Sequence, residues 1–201
     1  MAKVLYIKAD AKFDQDSRTF KISDAFINEY KLSNPNDEII MLDLYEENIG
    51  FLPKGQLGEL HTPTPGAGKD HPILKYAYQF KEADKYVIAA PFWNLSFPAI
   101  LKAYIDYITV SGITFAYTAQ GPVGLINGDK AVYFVSRGGN YLAEPFSNLE
   151  MGERYLNVLL RFLGVKEFNT ISADGLDIIG VDVEGIMSEA IQKAKDLAKK
   201  F

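Results

Sequence analysis

Residues 85–107 read "KYVIAAPFWNLSFPAILKAYIDY". The apolar run from Tyr86 to Ala90 stops at Pro91, and a second proline, Pro98, opens a segment in which Leu101, Tyr104, Ile105 and Ile108 recur at helical spacing. The stretch therefore reads as a strand, a short turn and a helix. Every position of the strand is apolar, without the alternation of a half-solvated sheet, as expected for a strand covered on both faces. The turn carries Phe92 and the chain's single tryptophan, Trp93, large flat side chains where burial is hardest.

Working outward, the same alternation fills the chain. "KVLYIK" (3–8), "DEIIMLDL" (37–44), "KAVYFV" (130–135) and "KEFNTIS" (166–172) read as further strands. Helical patterns occupy about 17–31, 71–84, 98–109, 148–164 and 183–200, with Ile22, Phe26 and Tyr30 on one face of the first. Five strands alternating with helices predict an α/β domain spanning 1–201. Its architecture is a flavodoxin-like, doubly wound parallel sheet of order 2-1-3-4-5 with helices on both faces. In that order the C-terminal ends of the first, third and fourth strands border the crevice where such sheets bind ligands, FMN among them.

Composition excludes several function classes. The 201 residues are 48% hydrophobic, enough for one compact core, and no run approaches the ~18–20 apolar residues of a membrane span. The start "MAKVLYIKAD" has four consecutive apolar residues, Val4 to Ile7, fewer than a signal peptide's apolar region. Cysteine is absent, which removes disulfides, thiolate metal sites and cysteine nucleophiles and fits a cytoplasmic protein. A net charge of −5 without a basic block makes nucleic acid an unsuitable partner. The two histidines, His61 and His71, lack the spacing of metal ligands, and no metal is expected.

Three segments border the expected crevice. After the first strand, "ADAKFDQDSRTF" offers Ser17 as an N-cap, Thr19 as a second hydroxyl and Arg18 as a cation beside free helix N–H groups, a pattern suited to a phosphate. The same loop carries Asp10, Asp14 and Asp16, which would repel a phosphate unless they point away. After the third strand, Phe92 and Trp93 could wall a ring system or plug the end of the core. After the fourth comes "SRGGN" (136–140), where paired glycines allow close backbone approach to a ligand edge but also suit a plain turn. Together they suggest a flat cofactor with a phosphate tail.

"PFWNLSFPAILKAYIDY" (91–107), "GITFAYTAQGPVGL" (112–125) and "SRGG" (136–139) resemble the FMN-dependent NADH:azoreductases, also described as NADH:quinone oxidoreductases. The resemblance runs over essentially the whole chain. It implies a homodimer with non-covalent FMN near the subunit interface, contacted by Ser17, Arg18 and Thr19 at the phosphate, by Phe92, Trp93, Asn94 and Leu95 at the ring, and by Ser136, Arg137, Gly138 and Gly139. It also implies a two-step reaction in which NADH reduces FMN and a planar quinone or azo compound then takes the hydride. Since the flavin carries that chemistry, no catalytic side chain is expected. One departure stands out: many relatives carry a serine directly after the first strand, where this chain has Ala9 and Asp10. The aromatics Tyr104, Tyr107, Phe115 and Tyr117 fit either an interface or ordinary core.

The segment 45–72, rich in glycine and proline, reads as a flexible wall of the acceptor site or a surface insertion. Within it "GAGKD" (66–70) lacks the earlier glycine and the Ser/Thr of a nucleotide phosphate loop. Two other functions fit parts of the pattern: a non-enzymatic electron carrier and an acyl-carrier-protein phosphodiesterase. The modest net charge argues against the first, and the lack of a nucleophile with its base argues against the second.

Overall fold

The computed structural model describes residues 1–47, 49–63, 66 and 68–201. Its elements in chain order are β1 (Lys3–Lys8), α1 (Arg18–Ser33), β2 (Glu38–Asp43), α2 (Leu57–His61), α3 (Lys75–Glu82), β3 (Lys85–Ala89) and α4 (Ala99–Ile108). They continue with β4 (Phe115–Thr118), β5 (Gly121–Gly124), β6 (Lys130–Ser136), α5 (Gly152–Leu163), β7 (Glu167–Ala173) and α6 (Val183–Ala198). Five strands form one parallel sheet in the order β2-β1-β3-β6-β7, which is 2-1-3-4-5 once the β4–β5 hairpin is set aside.

The two faces of the sheet account for the continuous apolar runs. Leu5, Ile7, Tyr86, Ile88, Tyr133 and Val135 face one cluster, shared with residues of α3, α4 and α5. Their neighbours Val4, Tyr6, Val87, Val132 and Phe134 face the opposite cluster, with Phe20, Phe26 and Tyr30 of α1 and Ala190, Ala194 and Ala198 of α6. Alternate side chains of a strand point to opposite faces, so covering both requires apolar residues at every position. Tyr104, Tyr107 and Phe115 lie in the first cluster as ordinary core, whereas Tyr117 is exposed on the hairpin.

Several boundaries differ from those read off the sequence. The helix expected from residue 71 begins at Lys75, because the imidazole Nδ1 of His71 accepts the N–H groups of Ile73 and Leu74 at 3.3 Å and organises the preceding turn. Half-buried, His71 is a local cap rather than a solvated loop histidine. The helix expected from 148 begins at Gly152, after a 3-10 turn at Ser147–Leu149, with the Glu150 carboxylate accepting the Glu153 N–H at 3.1 Å. The antiparallel β4–β5 hairpin and α2 were not anticipated. In the 45–72 segment, residues 48, 64, 65 and 67 lie outside the described residues, so "GAGKD" is described only in part. The segment is anchored at Leu60, which is buried in the core and whose carbonyl accepts the Ser111 N–H at 2.9 Å.

Candidate functional site

Parallel ladders at the C-terminal edge of the sheet run past the strand ends. Ala9 N–H donates to the Ala89 carbonyl, Ala90 N–H to Phe134, Phe92 N–H to Ser136 and Arg137 N–H to Ala173, at 2.8–3.2 Å. These bonds draw the three segments together. Ser136 is the junction: its carbonyl receives the Phe92 N–H at 3.1 Å, and its hydroxyl lies 2.8 Å from the Thr19 hydroxyl at the start of α1. A shallow pocket of about 110 Å3 lies here, lined by Arg18, Phe92, Trp93, Ser136, Arg137 and Gly138.

The first segment is organised from beneath. Ser17 is the N-cap of α1, fully buried; its oxygen accepts the Phe20 N–H at 3.0 Å and its hydroxyl donates to Asp10 at 2.7 Å. The Ser17 side chain is thereby committed to the fold, and what the helix start leaves open are the N–H groups of Arg18 and Thr19, which have no partner among the described residues. Asp10 also accepts the Lys12 N–H at 3.2 Å, and Asp14 pairs with the buried Lys8 at 2.6 Å. Of the loop's three carboxylates, Asp14 is thus paired with a cation and Asp10 is held by hydrogen bonds from neutral donors. Asp10 shapes the loop, and Ala9 packs fully buried in the core.

The second segment is a tight reversal. Trp93 and Ser96 exchange two backbone hydrogen bonds of 2.9 Å, and Asn94 and Leu95 between them have φ of 48° and 69°. Positive φ at both central residues is the type I′ turn. Asn tolerates that region, whereas a leucine there is strained. The Leu95 carbonyl accepts the Met151 N–H at 3.0 Å, which ties the turn to the approach of α5. Trp93 is 39% exposed, so it does not plug the core, and Phe92 is half-buried, 4.5 Å from the Tyr141 ring. The N–H groups of Asn94 and Leu95 have no partner among the described residues.

In the third segment Arg137 is 1% exposed and turns inward. Its guanidinium pairs with Asp174 at 3.1 Å, Glu150 at 3.2 Å and Glu153 at 3.4 Å, and lies 5.6 Å from the Phe92 ring. Burial acts to lower its pKa, but Asp174 and Glu150 outweigh this and hold it above the ordinary arginine value. The Arg137 side chain is therefore a buried tie beneath the site, and the residue also lines the pocket. Gly138 and Gly139 leave their N–H groups without a partner among the described residues. A Cβ on Gly138 would stand 2.4 Å from the Asp177 carboxylate, and one on Gly139 3.0 Å from the Tyr141 ring.

Sequence reasoning missed Lys12, Leu176 and Asp177, which line the same pocket. Leu176 and Asp177 follow β7, outside the three strand ends considered; their signal was the glycine-containing "ADGLD" (173–177) directly after a strand. A larger cleft of about 520 Å3 lies beyond the 10–15 loop, lined in part by Phe13, Met41 and Tyr45, and shares Lys12. The smaller pocket is the candidate because residues of all three segments line it, with the unpartnered N–H groups of Arg18 and Gly138 among them.

The sequence matches the flavodoxin-like fold family over residues 2–198. The chain belongs to that family. It is 64% identical over 201 residues, covering 100% of both chains, to "FMN-dependent NADH:quinone oxidoreductase 2" of Clostridium acetobutylicum. It is 62% identical, again over the whole of both chains, to "FMN-dependent NADH:quinone oxidoreductase" of Clostridium perfringens. An azoreductase of Bacillus anthracis superposes with a TM-score of 0.88 at 34% identity, with 100% of both chains covered. An FMN-dependent NADH-azoreductase of the same species, solved in complex with FMN, gives 0.87 at 27% identity, covering 100% of this chain and 99% of that one.

Proposed function

We propose that this chain is an FMN-dependent oxidoreductase that passes hydride from NADH to quinones and aromatic azo compounds, the activities named for its relatives. The observation that carries the proposal is a pocket lined by all three segments, with Arg18, Phe92, Trp93, Ser136 and Gly138 among its residues, in segments that leave the N–H groups of Arg18, Thr19, Asn94, Leu95, Gly138 and Gly139 without a partner among the described residues. Main-chain donors left open at a helix start, a turn and a glycine pair are available to a ligand's oxygens and nitrogens, and glycines that leave no room for a Cβ permit close approach. The residues present therefore fit FMN. The start of α1, with Arg18 and the Thr19 hydroxyl, would hold the phosphate. Trp93 and Phe92 would wall the ring, and the N–H groups of 94–95 and 138–139 would meet its polar edge.

Bound FMN supplies the hydride chemistry. The chain's residues orient it, exclude water and place donors where negative charge develops on reduction. No side chain is assigned a catalytic role. The pocket on one chain is small beside the ~300–1,000 Å3 of an ordinary ligand cleft, so a flat ligand seated there keeps an open side. This supports a homodimer in which the partner subunit covers the ring. We take the whole chain as one FMN-binding domain and place it in the cytoplasm. No helix among the described residues is long and apolar enough to cross a membrane, and the chain lacks cysteine.

Stopped-flow absorbance of the FMN-loaded protein tests this reading. NADH alone should bleach the flavin within the time of one turnover, and a quinone should restore the colour. Bleaching that needs a separate reductase would make the protein a carrier, and a chain that takes up no FMN would end the proposal.

A further inference from the structure

The inference concerns Asp177, and it rests on the FMN-binding reading above. Asp177 follows β7 and is anchored by its own N–H, which donates to the Gly138 carbonyl at 3.0 Å. Its side chain reaches across the pocket and pairs with Arg18 at 2.7 Å. The other carboxylate oxygen lies where a Cβ on Gly138 would come within 2.4 Å. A carboxylate thus sits between Arg18, assigned to the phosphate, and Gly138, assigned to the polar edge of the ring.

We propose that Asp177 is an internal counter-ion that occupies Arg18 in place of the FMN phosphate and must yield it when FMN binds. The side chains of Asp177 and Arg18 are 70% and 38% exposed, so their pair is weak. A phosphate accepts stronger, charge-assisted bonds from arginine and displaces such a carboxylate, but against the charge that remains. Because the backbone of Asp177 is tied to Gly138, release requires only a turn of its side chain. The consequence is affinity and selectivity held below what Lys12, Arg18 and the α1 terminus could provide. Through Arg18, Asp177 penalises the phosphate ester more than the ring, so it narrows the preference for FMN over riboflavin. It also gives Arg18 a fixed direction in the empty pocket.

The full-length protein, stripped of flavin, is titrated with FMN and separately with riboflavin, following flavin fluorescence, for the wild type, D177N, R18Q and the R18Q/D177N double variant. Asp177→Asn should tighten FMN about threefold to tenfold and steepen its decline with salt, while riboflavin affinity shifts less. In the Arg18→Gln background the gain should shrink, as a double-mutant cycle requires of a coupled pair. FMN affinity that is unchanged or weakened by Asp177→Asn would overturn the inference, as would equal shifts for FMN and riboflavin. A gain that persists undiminished without Arg18 would overturn it too. A wild-type chain that binds riboflavin and FMN equally well removes the phosphate contact and this inference, while leaving the ring site standing. A wild type that binds neither flavin removes both this inference and the proposed function.

Discussion

The two ends of the central sheet are built to opposite rules. At the N-terminal end, polar groups are matched over short distances: Ala2 N–H and the Tyr30 phenol both donate to Asp37 at 2.7 Å, Lys85 donates to the Tyr30 oxygen at 2.9 Å, and Lys3 N–H donates to Asp84 at 2.8 Å. Lys130 reaches the Lys200 carbonyl at 2.7 Å, and Lys166 pairs with Asp129 at 2.6 Å. At the C-terminal end the chain keeps donors unpartnered, holds a leucine at positive φ and buries an arginine among three carboxylates. The comparison teaches that one end closes the fold and the other holds polar capacity for something that binds. Strain and buried charge gather at the binding end because stability there is subordinate to shape.

Arg137 is where that contrast is most easily broken. It is the stabilising element of the binding end, so Arg137→Ala should leave Asp174 and Glu150 buried without a counter-charge. A loss of about 3–5 kcal/mol is expected, or roughly 6–20 °C in melting temperature for a chain of this size, read by circular dichroism on flavin-free protein. A loss under about 1 kcal/mol would mean that the cage is solvated.

Leu95→Gly probes the opposite property. Relief of the left-handed leucine should raise stability by up to about 1 kcal/mol after the added backbone entropy of glycine, measured by urea unfolding. A decrease would show that the Leu95 side chain contributes more by packing than its backbone loses by strain.

The smallest effect belongs to the closed end. The Tyr30 phenol, then the Ala2 N–H, hold the Asp37 carboxyl below the ordinary aspartate value. A carboxyl depressed in the folded state adds stability above its unfolded pKa and loses it as pH falls through the folded one. Asp37→Asn should therefore lower stability near neutral pH, by less than about 1 kcal/mol at this solvent-screened site, and flatten the acid limb of a stability-against-pH curve. An unaltered limb would show that Tyr30 and Ala2 do not distinguish the charged form.

Much of this was legible in the sequence, for reasons that differ by region. Strands such as Tyr86–Ala89 and Ala131–Val135 are apolar on both faces because both faces are covered, and that pattern needs no knowledge of partners. The meeting of helix start, aromatic turn and glycine pair follows from strand order alone. What stayed hidden depends on long-range pairing. The Ser17 hydroxyl turns to Asp10, and Arg137 turns to Asp174 and to two glutamates of the α5 approach, choices made by neighbours that sequence spacing does not reveal. The β4–β5 hairpin escaped because its strands are four residues each and β5 contains glycine and proline, which weaken any strand pattern.

The central claim is that three separated segments receive a single flavin. Amide chemical shifts in a nitrogen-15 correlation spectrum, followed as FMN is added, test it residue by residue. The account predicts that the amides of Arg18, Thr19, Asn94, Leu95, Gly138 and Gly139 move together and saturate at one FMN per chain. Shifts confined to one segment, or gathered instead at the N-terminal end of the sheet, would contradict it.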